Sequence, residues 1–440
     1  MPNSRADAKA ALNTDPLRPL DGAFEGLRVL DFTQNLPGPY CTMLLAGLGA
    51  EVVKVEPPRG EPARVIGRIF DLVNGDKLSV TLDLKREDDR AKARELAKVA
   101  DVLVEGFRPG VMERFGLDVA SLHKDNPALI YCSISGFGQS GPYERYPAHD
   151  LNFQALTGVC HMMRDADDRP RGAALPLADL SSSMTAFGAI AAALYARTRD
   201  GRGRHLDVAM TDTLMSWAHT WSEGLTPASL GLGTGAEAAL GWLKDRSEAL
   251  PSALRPVASW IETQFGRLGV ESKITETVAD GLDAVGERVT DSDRYQRLRR
   301  VGLHALPHYG IYETKDHRWL SVGIVDEDKF WRALCEAMEV PALGRIPLVA
   351  RFVSGPPLRK VLARIFAQQD METWLERLDP ASIPVAPVLP LDDAMTDPHF
   401  QARWGGAPTG GPAPLRSRPG AKAPALGADN DTVHQRWLGH

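Results

Sequence analysis

Asp179 is the residue with the clearest chemical potential. It stands in the run ALPLADLSSS, between a short apolar stretch and a long segment rich in small residues. This pattern predicts that the carboxylate lies at a strand-to-helix junction. The exposed amides of a helix N-terminus favour a negative charge. A partly desolvated Asp179 could therefore act as a nucleophile or a base, but Asp is also a favoured N-cap residue, and position alone favours the cap.

Length and composition are those of a multidomain globular enzyme. The chain has 440 residues, 43% of them hydrophobic and 25% charged, which predicts two or three domains. The net charge of -6 and the dispersed Lys and Arg residues argue against a nucleic-acid partner. The four cysteines form no CxxC pair, so the sequence predicts no zinc or dithiol site and fits a reducing cytoplasm.

The distribution of apolar residues along the chain does not suggest a membrane protein. The first twenty residues lack the apolar core of a signal peptide, and no run of eighteen apolar residues follows. We therefore expect no secretion signal and no membrane span.

The N-terminal half alternates between strand and helix patterns. The predicted strands cover 27–32, 51–56, 101–105 and 128–134, and the predicted helices cover 40–48 and 88–99. Alternation of this kind predicts a doubly wound parallel sheet. No GxGxxG follows the first strand, which argues against a dinucleotide site. Further on, 310–314 and 319–322 flank a short turn and predict a hairpin.

Several separate motifs, in one order, resemble those of the family III CoA-transferases, a superfamily that also contains the α-methylacyl-CoA racemases. They are LRVLDF from Leu27, PGP from Pro37, GAEVVKVE from Gly49, ADVLVEGFRPG from Ala100, ISGFGQSGP from Ile134, AHDLN from Ala148, LAD from Leu177 and GRGRHLDV from Gly201. The resemblance covers roughly residues 25–222 and 303–400.

The resemblance implies an α/β fold in which two chains interlock as a homodimer, each with a Rossmann-like large domain and a smaller α+β domain. A paired homologous subunit is the alternative partner. The expected parts are a flexible arm at 1–24, a large CoA-binding domain at 25–226, a helical insertion at 227–300, a small domain at 301–395, and a C-terminal segment at 396–440 that returns to the large domain.

The resemblance also implies the chemistry. The Asp that matches Asp179 attacks an acyl-CoA thioester, and CoA passes to a carboxylic acid acceptor through anhydride and aspartyl-CoA intermediates. CoA is then a substrate, and no tightly bound cofactor is expected. We favour this acyl-CoA:carboxylate CoA-transferase assignment, with Asp179 catalytic rather than capping.

A 2-methylacyl-CoA racemase is the alternative. His149 matches the racemase histidine that works with the Asp as an acid/base pair, and Glu327 matches a Glu that supports it. Each also has a structural interpretation, His149 as a hydrogen-bonded polar residue and Glu327 as an acid in a first helical turn. The racemases carry glycines where this chain has Ser181, Ser182 and Ser183.

The expected CoA contacts come from positions that match the family. They are Leu36, Pro37, Lys77, Phe107, Arg108, Arg114, Gly136 and Gly138. Pro57 stands where the family has an Arg, which Arg59 or Arg64 could replace. Each basic residue could instead be a solvated surface charge.

Overall fold

The computed structural model describes most of the chain in four stretches. These are residues 20–163 apart from 21, 169–224, 306–399 with gaps at 326, 347, 349–350, 352–354 and 380–381, and 422–439. The predicted insertion at 227–300 and nearly all of the predicted arm at 1–24 lie outside the described residues. Two compact units divide the chain. The first comprises Met1–Cys160, Arg171–Ala218 and Met395–His440, and the second comprises His161–Pro170 and His219–Ala394.

A six-stranded parallel sheet forms the centre of the first unit. Its strands are β1 (Arg28–Phe32), β2 (Glu51–Glu56), β3 (Leu78–Thr81), β4 (Val102–Glu105), β5 (Ile130–Ser135) and β6 (Arg204–Ala209). They lie in the order β3-β2-β1-β4-β5-β6, and all neighbouring pairs are parallel. The prediction of a parallel sheet is confirmed. The strand order reverses between β1 and β4, which makes this the topological switch point of a doubly wound sheet.

Helices cover both faces of this sheet. The described helices between residues 37 and 224 are α1 (Pro37–Gly47), α2 (Arg68–Asn74), α3 (Glu87–Val99), α4 (Val111–Phe115), α5 (Val119–Leu122), α6 (Asp150–Leu156), α7 (Val159–Met162), α8 (Leu177–Asp200) and α9 (Met210–Gly224), with a 3₁₀ turn at Pro62–Ile66. One face buries α1 and α8, and the other buries α3 and the C-terminal helix α14 (Asn430–Leu438). With both faces covered, β1, β2, β4 and β5 are buried along almost their whole length.

Two local expectations differ from the structure. The helix expected at 40–48 begins at Pro37, because Pro fits the first helical position, where its missing N–H costs nothing. The expected strand before Asp179 is wrong, since residues 171–176 form no strand and α8 begins directly at Leu177. Pro176 has no N–H for a strand ladder, and Leu175 is exposed.

Helix α8 is long and apolar enough to cross a membrane by length and composition alone, although no span was expected from the sequence. Ala186, Ile190 and Ala193 on this helix are buried in the cluster that also contains Leu44 of α1 and Val104 of β4. The structure thus accounts for its apolar character as that of a core helix packed on the sheet.

The second unit contains a three-stranded antiparallel sheet and four helices among its described residues. The strands are β7 (Tyr309–Glu313), β8 (Trp319–Gly323) and β9 (Val385–Pro387), and the helices are α10 (Asp328–Ala337), α11 (Gly355–Phe366), α12 (Met371–Leu378) and α13 (Leu391–Thr396), with a 3₁₀ turn at Leu343–Arg345. The order is β7-β8-β9, and β7 and β8 pair antiparallel. The predicted hairpin is confirmed.

Residues near the C-terminus protect the edge strand β3. The backbone N–H of Ser79 donates to Asp429 Oδ2 at 2.8 Å, and that of Thr81 donates to Asn430 Oδ1 at 2.9 Å. These side chains satisfy ladder groups that an edge strand would otherwise leave unpaired. The described C-terminal residues therefore belong to the first unit.

Candidate active site

A cleft of about 430 Å³ opens at the carboxyl ends of β1, β4 and β5. Its lining comes from the loops that follow these three strands, from residues 144–153, and from the starts of α8 and α9. The position spans the switch point between β1 and β4, where open α/β sheets bind their ligands. Among the predicted site residues it brings together Asp179, His149, Pro37, Phe107, Arg108 and Gly136.

Asp179 lies in the first turn of α8, but it does not cap the helix. The N-cap residue is Pro176. The capping oxygen is Oδ1 of Asp150, which accepts from the backbone N–H of Ala178 at 2.7 Å and from that of Asp179 at 3.1 Å. Two of the first amides of the helix, which have no partner within it, thus have an acceptor that is not Asp179. The capping interpretation of Asp179 is wrong, and its carboxyl group lines the cleft instead.

The surroundings of Asp179 disfavour its charged form. Burial, and secondly the nearby charge of Asp150, raise the pKa of Asp179 to about 7. A desolvated carboxylate loses the hydration that stabilises its charge, and a like charge nearby adds repulsion. Near neutral pH both the neutral and the ionised form of the group are therefore accessible, so it can both accept and donate a proton.

His149 and Asp150 stand next to each other at the start of the short helix α6 but make different contacts. His149 is the N-cap residue of α6, and its backbone N–H donates to Oδ1 of Asn152 at 3.0 Å. Its exposed side chain lines the cleft together with Asp179. Adjacent residues in one motif thus supply a side chain in the cleft and the cap of the helix that carries Asp179.

One of three buried serines joins the start of α8 to the start of α1. Ser181, Ser182 and Ser183 are fully buried. The Ser183 hydroxyl lies 2.6 Å from the carbonyl oxygen of Pro37 and 2.7 Å from that of Asp179. The two segments that carry Pro37 and Asp179 are therefore joined by one side chain that glycine could not replace.

The loop after β1 rests on a buried ion pair that includes Lys77. The Lys77 ammonium group donates to Asp31 Oδ2 at 2.9 Å, to Pro39 O at 3.0 Å and to Asn74 Oδ1 at 2.8 Å. An ammonium group has three donors, so all three are used inside the fold. Burial would raise the pKa of Asp31, but the charges of Lys77 and Lys54 hold it well below its usual range. The geometry argues against the predicted contact of Lys77 with CoA.

The loop after β4 presents Phe107 and Arg108 to the cleft. The buried carboxyl group of Glu105 accepts from the backbone N–H of Phe107 at 2.8 Å and so fixes the turn. Burial raises the pKa of Glu105 to about 7. Arg108 is exposed, as an anion-binding side chain at a cleft mouth should be. Arg114, also exposed, lies on α4 and does not line the cleft.

The loop after β5 needs glycine at two positions for different reasons. A Cβ on Gly136 would lie 2.7 Å from Phe153 Cζ, so this cleft residue cannot carry a side chain without displacing the ring. Gly138 has φ of +81°, a left-handed conformation that glycine adopts without strain. Gly138 is not part of the cleft lining, and neither is Leu36, which starts α1 and packs partly against the core.

Glu327 belongs to the second unit. It is the N-cap residue of α10, one position before the first turn in which it was expected. Its Oε2 accepts from the backbone N–H of Val325 at 3.0 Å. A supporting role toward His149 stays a prediction from the resemblance.

Several cleft residues were not predicted from the sequence, among them Gln34, Asn35, Glu144 and Tyr146. Gln34 and Asn35 follow β1 directly, and this was a usable signal, because the carboxyl ends of parallel strands meet at one edge of a sheet. Glu144 and Tyr146 lie in an irregular loop, where no spacing rule predicts the contact. The capping role of Asp150 was also missed, since its partners are 28 and 29 residues away.

The geometry disfavours two other kinds of site. Pro37 and Pro39 remove two of the N–H groups at the start of α1, where a dinucleotide-binding fold would hold phosphates. Within the described parts of the chain, no group of three or more His, Cys, Asp or Glu residues is arranged to hold a metal ion. Fold and site together define a doubly wound α/β protein with a carboxylic acid at its switch-point cleft.

Comparison with known proteins identifies the family. The sequence pattern of CoA-transferase family III matches residues 24–229 and 280–430, and the chain belongs to this family of enzymes. Acetyl-CoA:oxalate CoA-transferase of Acetobacter aceti is 31% identical, covering 89% of this chain and 86% of the relative. Alpha-methylacyl-CoA racemase of Mus musculus is 29% identical, over the same shares of the two chains.

The fold has solved counterparts. A CAIB/BAIF family protein from Brucella suis aligns with a TM-score of 0.66 and 23% sequence identity, over 95% of this chain and 100% of the other. The mixed α/β architecture with a central parallel sheet and a small antiparallel sheet is thus that of the family.

Two substitutions of Asp150 distinguish the effect of its charge on Asp179 from the effect of its hydrogen bonds on α8. In Asp150→Asn the amide oxygen can still accept from the helix amides, but the negative charge is lost, so the pKa of Asp179 should fall below 7. Asp150→Ala should in addition lower the free energy of unfolding by about 1 kcal/mol through loss of the cap. Carbon-13 NMR titration of the Asp179 carboxyl group and urea denaturation measure the two effects.

Glu144→Gln is the matched control, since it removes a different cleft carboxylate. It should leave the pKa of Asp179 near 7. An unchanged pKa in Asp150→Asn would show that burial alone sets the value.

Proposed function

We propose that this protein transfers CoA from an acyl-CoA to a carboxylic acid through covalent intermediates on Asp179. The observation that carries the proposal is the capping of α8 by Asp150, which leaves the Asp179 carboxyl group for chemistry in the cleft. The family membership and the similarity to an acetyl-CoA:oxalate CoA-transferase support the reaction class.

Each step of the proposed reaction exchanges one bond at a carbonyl carbon. The Asp179 carboxylate attacks the thioester, the C–S bond breaks, and CoA leaves as a thiolate beside a mixed anhydride. The thiolate then attacks the Asp179 carbonyl and releases the donor acid, which leaves an aspartyl-CoA thioester. The acceptor carboxylate attacks this thioester, the C–S bond breaks, and CoA leaves again as a thiolate beside a second anhydride. The thiolate finally attacks the acceptor acyl carbon and regenerates Asp179.

The chemistry needs a carboxylate at position 179. An anhydride carbonyl is activated enough for a thiolate to return to it, whereas the ester that a serine would form is too stable for exchange. The covalent route divides one difficult exchange into easier steps. The raised pKa of Asp179 means that the ionised nucleophile accumulates as the pH rises through 7.

The proposed CoA site uses the residues that the cleft brings together. Pro37, Phe107 and Gly136 would contact the arm that carries the thioester, and Arg108 would bind phosphate at the exposed rim. Arg114, on the exposed side of α4, would contribute only to a phosphate that extends beyond the cleft.

Hydroxylamine trapping tests the nucleophile. In the presence of hydroxylamine, the protein should consume acetyl-CoA and form a hydroxamate. Asp179→Asn should lower the rate of hydroxamate formation at least 1,000-fold, because the covalent step is lost. CoA affinity should change less than about fivefold, since most of the CoA contacts lie elsewhere.

Asp200→Asn is the control, because Asp200 lies at the far end of the same helix and pairs with Arg204. It should keep full trapping. Trapping that persists in Asp179→Asn would reject the assignment of the nucleophile.

A 2-methylacyl-CoA racemase is the second candidate, and one observation favours it. His149 lines the same cleft as Asp179, whose pKa of about 7 suits a group that must alternately accept and donate a proton. In this proposal the two residues would exchange the α-proton on opposite faces of the substrate, with Glu327 supporting His149. Similarity to a racemase supports it as well.

Proton exchange separates the two candidates. In heavy water a racemase should place deuterium at the α-carbon of a 2-methylacyl-CoA without any carboxylic acid acceptor, and His149→Gln should abolish the exchange on one face. A CoA-transferase should show none at catalytic rates. Mass spectrometry of the recovered acyl-CoA measures the label, and rapid exchange would replace the transferase proposal.

We also propose that the protein acts in the cytoplasm as an interlocked homodimer, as the family resemblance implies. Sedimentation equilibrium should give about twice the mass of the 47.9-kDa chain. A species of single-chain mass at micromolar concentration would contradict the dimer.

A further inference from the structure

A buried ion pair lies beneath the loop that follows β1. Lys54 on β2 and Glu61 before the 3₁₀ turn have side chains that are 1% and 0% exposed, with Nζ 3.3 Å from Oε1. Removing two charges from water is costly, and an apolar pair of similar volume is often as stable. The contacts that this pair makes beyond itself therefore indicate what it does.

Lys54 holds a backbone group of the residue before Gln34, and Glu61 holds a backbone group of the residue after it. The Lys54 ammonium group donates to the carbonyl oxygen of Thr33 at 3.0 Å. The Glu61 carboxylate accepts through Oε2 from the backbone N–H of Asn35 at 3.0 Å. Asn35 has φ of 63°, a left-handed conformation that Asn tolerates better than most residues. The pair thus fixes two successive peptide planes.

These two contacts set the direction of the Gln34 backbone. In a trans peptide the N–H and C=O point in opposite directions. Because Thr33 O points to Lys54, the Gln34 N–H points away from the pair. Because the Asn35 N–H points to Glu61, the Gln34 C=O points away as well. Gln34 lines the cleft, and no described residue forms a hydrogen bond with either group.

We propose that Lys54 and Glu61 are positioning residues that hold the N–H and C=O of Gln34 toward the cleft to receive two successive secondary amides of the substrate. At a strand edge the N–H and C=O of one residue pair with a C=O and an N–H that belong to two different amides. The pantetheine arm of CoA contains two secondary amides. The inference rests on the proposed function, because it requires a CoA thioester as the substrate.

Binding of CoA and of its nucleotide half tests the proposal. Lys54→Met with Glu61→Leu removes both contacts without leaving an unpaired buried charge. Its Kd for CoA should rise about 10- to 100-fold. Its Kd for adenosine 3′-phosphate 5′-diphosphate, which lacks the pantetheine arm, should change less than about twofold. Isothermal titration calorimetry measures both.

A second variant should weaken CoA binding by a smaller amount. Lys54→Met with Glu61→Gln keeps an amide oxygen for the Asn35 N–H, so its Kd for CoA should lie between those of the unaltered protein and the Met/Leu variant. If the Met/Leu variant fails to fold, a Kd for CoA in this second variant that is no higher than that of the unaltered protein would overturn the proposal. Arg197→Met is the control, since it breaks the 2.9 Å pair with Asp101 just before β4, and it should leave both affinities unchanged.

The outcomes separate this inference from the proposed function. Affinities for CoA and for the nucleotide that fall together, or that both stay unchanged, would overturn the positioning role. A selective loss of CoA affinity supports it, whether or not hydroxylamine trapping locates an acyl group on Asp179. Failure of the unaltered protein to bind CoA would overturn both proposals.

Discussion

The hydrogen bonds from the first turn of α8 to Asp150 decide what Asp179 can do. A helix start presents unsatisfied N–H groups that attract the nearest carboxylate. Here that carboxylate comes from another helix, at 2.7 and 3.1 Å from the amides of Ala178 and Asp179. The arrangement satisfies the helix, places a second negative charge near Asp179, and raises the pKa of Asp179 together with burial. One interaction thus both frees the proposed catalytic group and tunes it.

Buried polar side chains help to hold the loops that surround the cleft. Each of these side chains fixes backbone next to the cleft. They are the pair Asp31 and Lys77, the pair Lys54 and Glu61, and the single residues Glu105 and Ser183. A charge buried without a partner would be costly, so each of these groups has a defined position. Rigid loops of this kind suit a reaction in which a thiolate must leave and return along similar paths, because positioning supplies much of the rate.

Local sequence patterns predicted most of the sheet, but β3 was not expected. The strands β1, β2, β4 and β5 and the helices α1 and α3 follow from apolar runs and from Pro and Gly positions, and the hairpin of the second unit follows from its alternation and turn. The strand expected before Asp179 was wrong, because an apolar run that contains Pro176 reads like a strand but cannot complete a ladder. The motifs, as a set, led to the right family.

The site was only partly predictable, since roles depend on partners far apart in the chain. Lys77 looked like an exposed nucleotide contact, yet Asp31, 46 residues away, holds it inside. The three serines after Asp179 looked like a departure from the racemase pattern, and the structure shows what one of them does, since Ser183 reaches the carbonyl oxygen of Pro37. Gln34 belongs to none of the recognised motifs. It lies in the cleft because it follows the carboxyl end of β1.

Transfer of oxygen isotope to Asp179 tests the central claim most directly. In the proposed reaction the acceptor carboxylate leaves one of its oxygens on the Asp179 side chain when the second anhydride breaks. After turnover with acetyl-CoA and an ¹⁸O-labelled acceptor acid that the protein uses, mass spectrometry of the peptide that contains Asp179 should show a gain of about 2 Da, and of about 4 Da after many turnovers. Acyl-CoA formation from the labelled acid with no label on Asp179 would contradict the account.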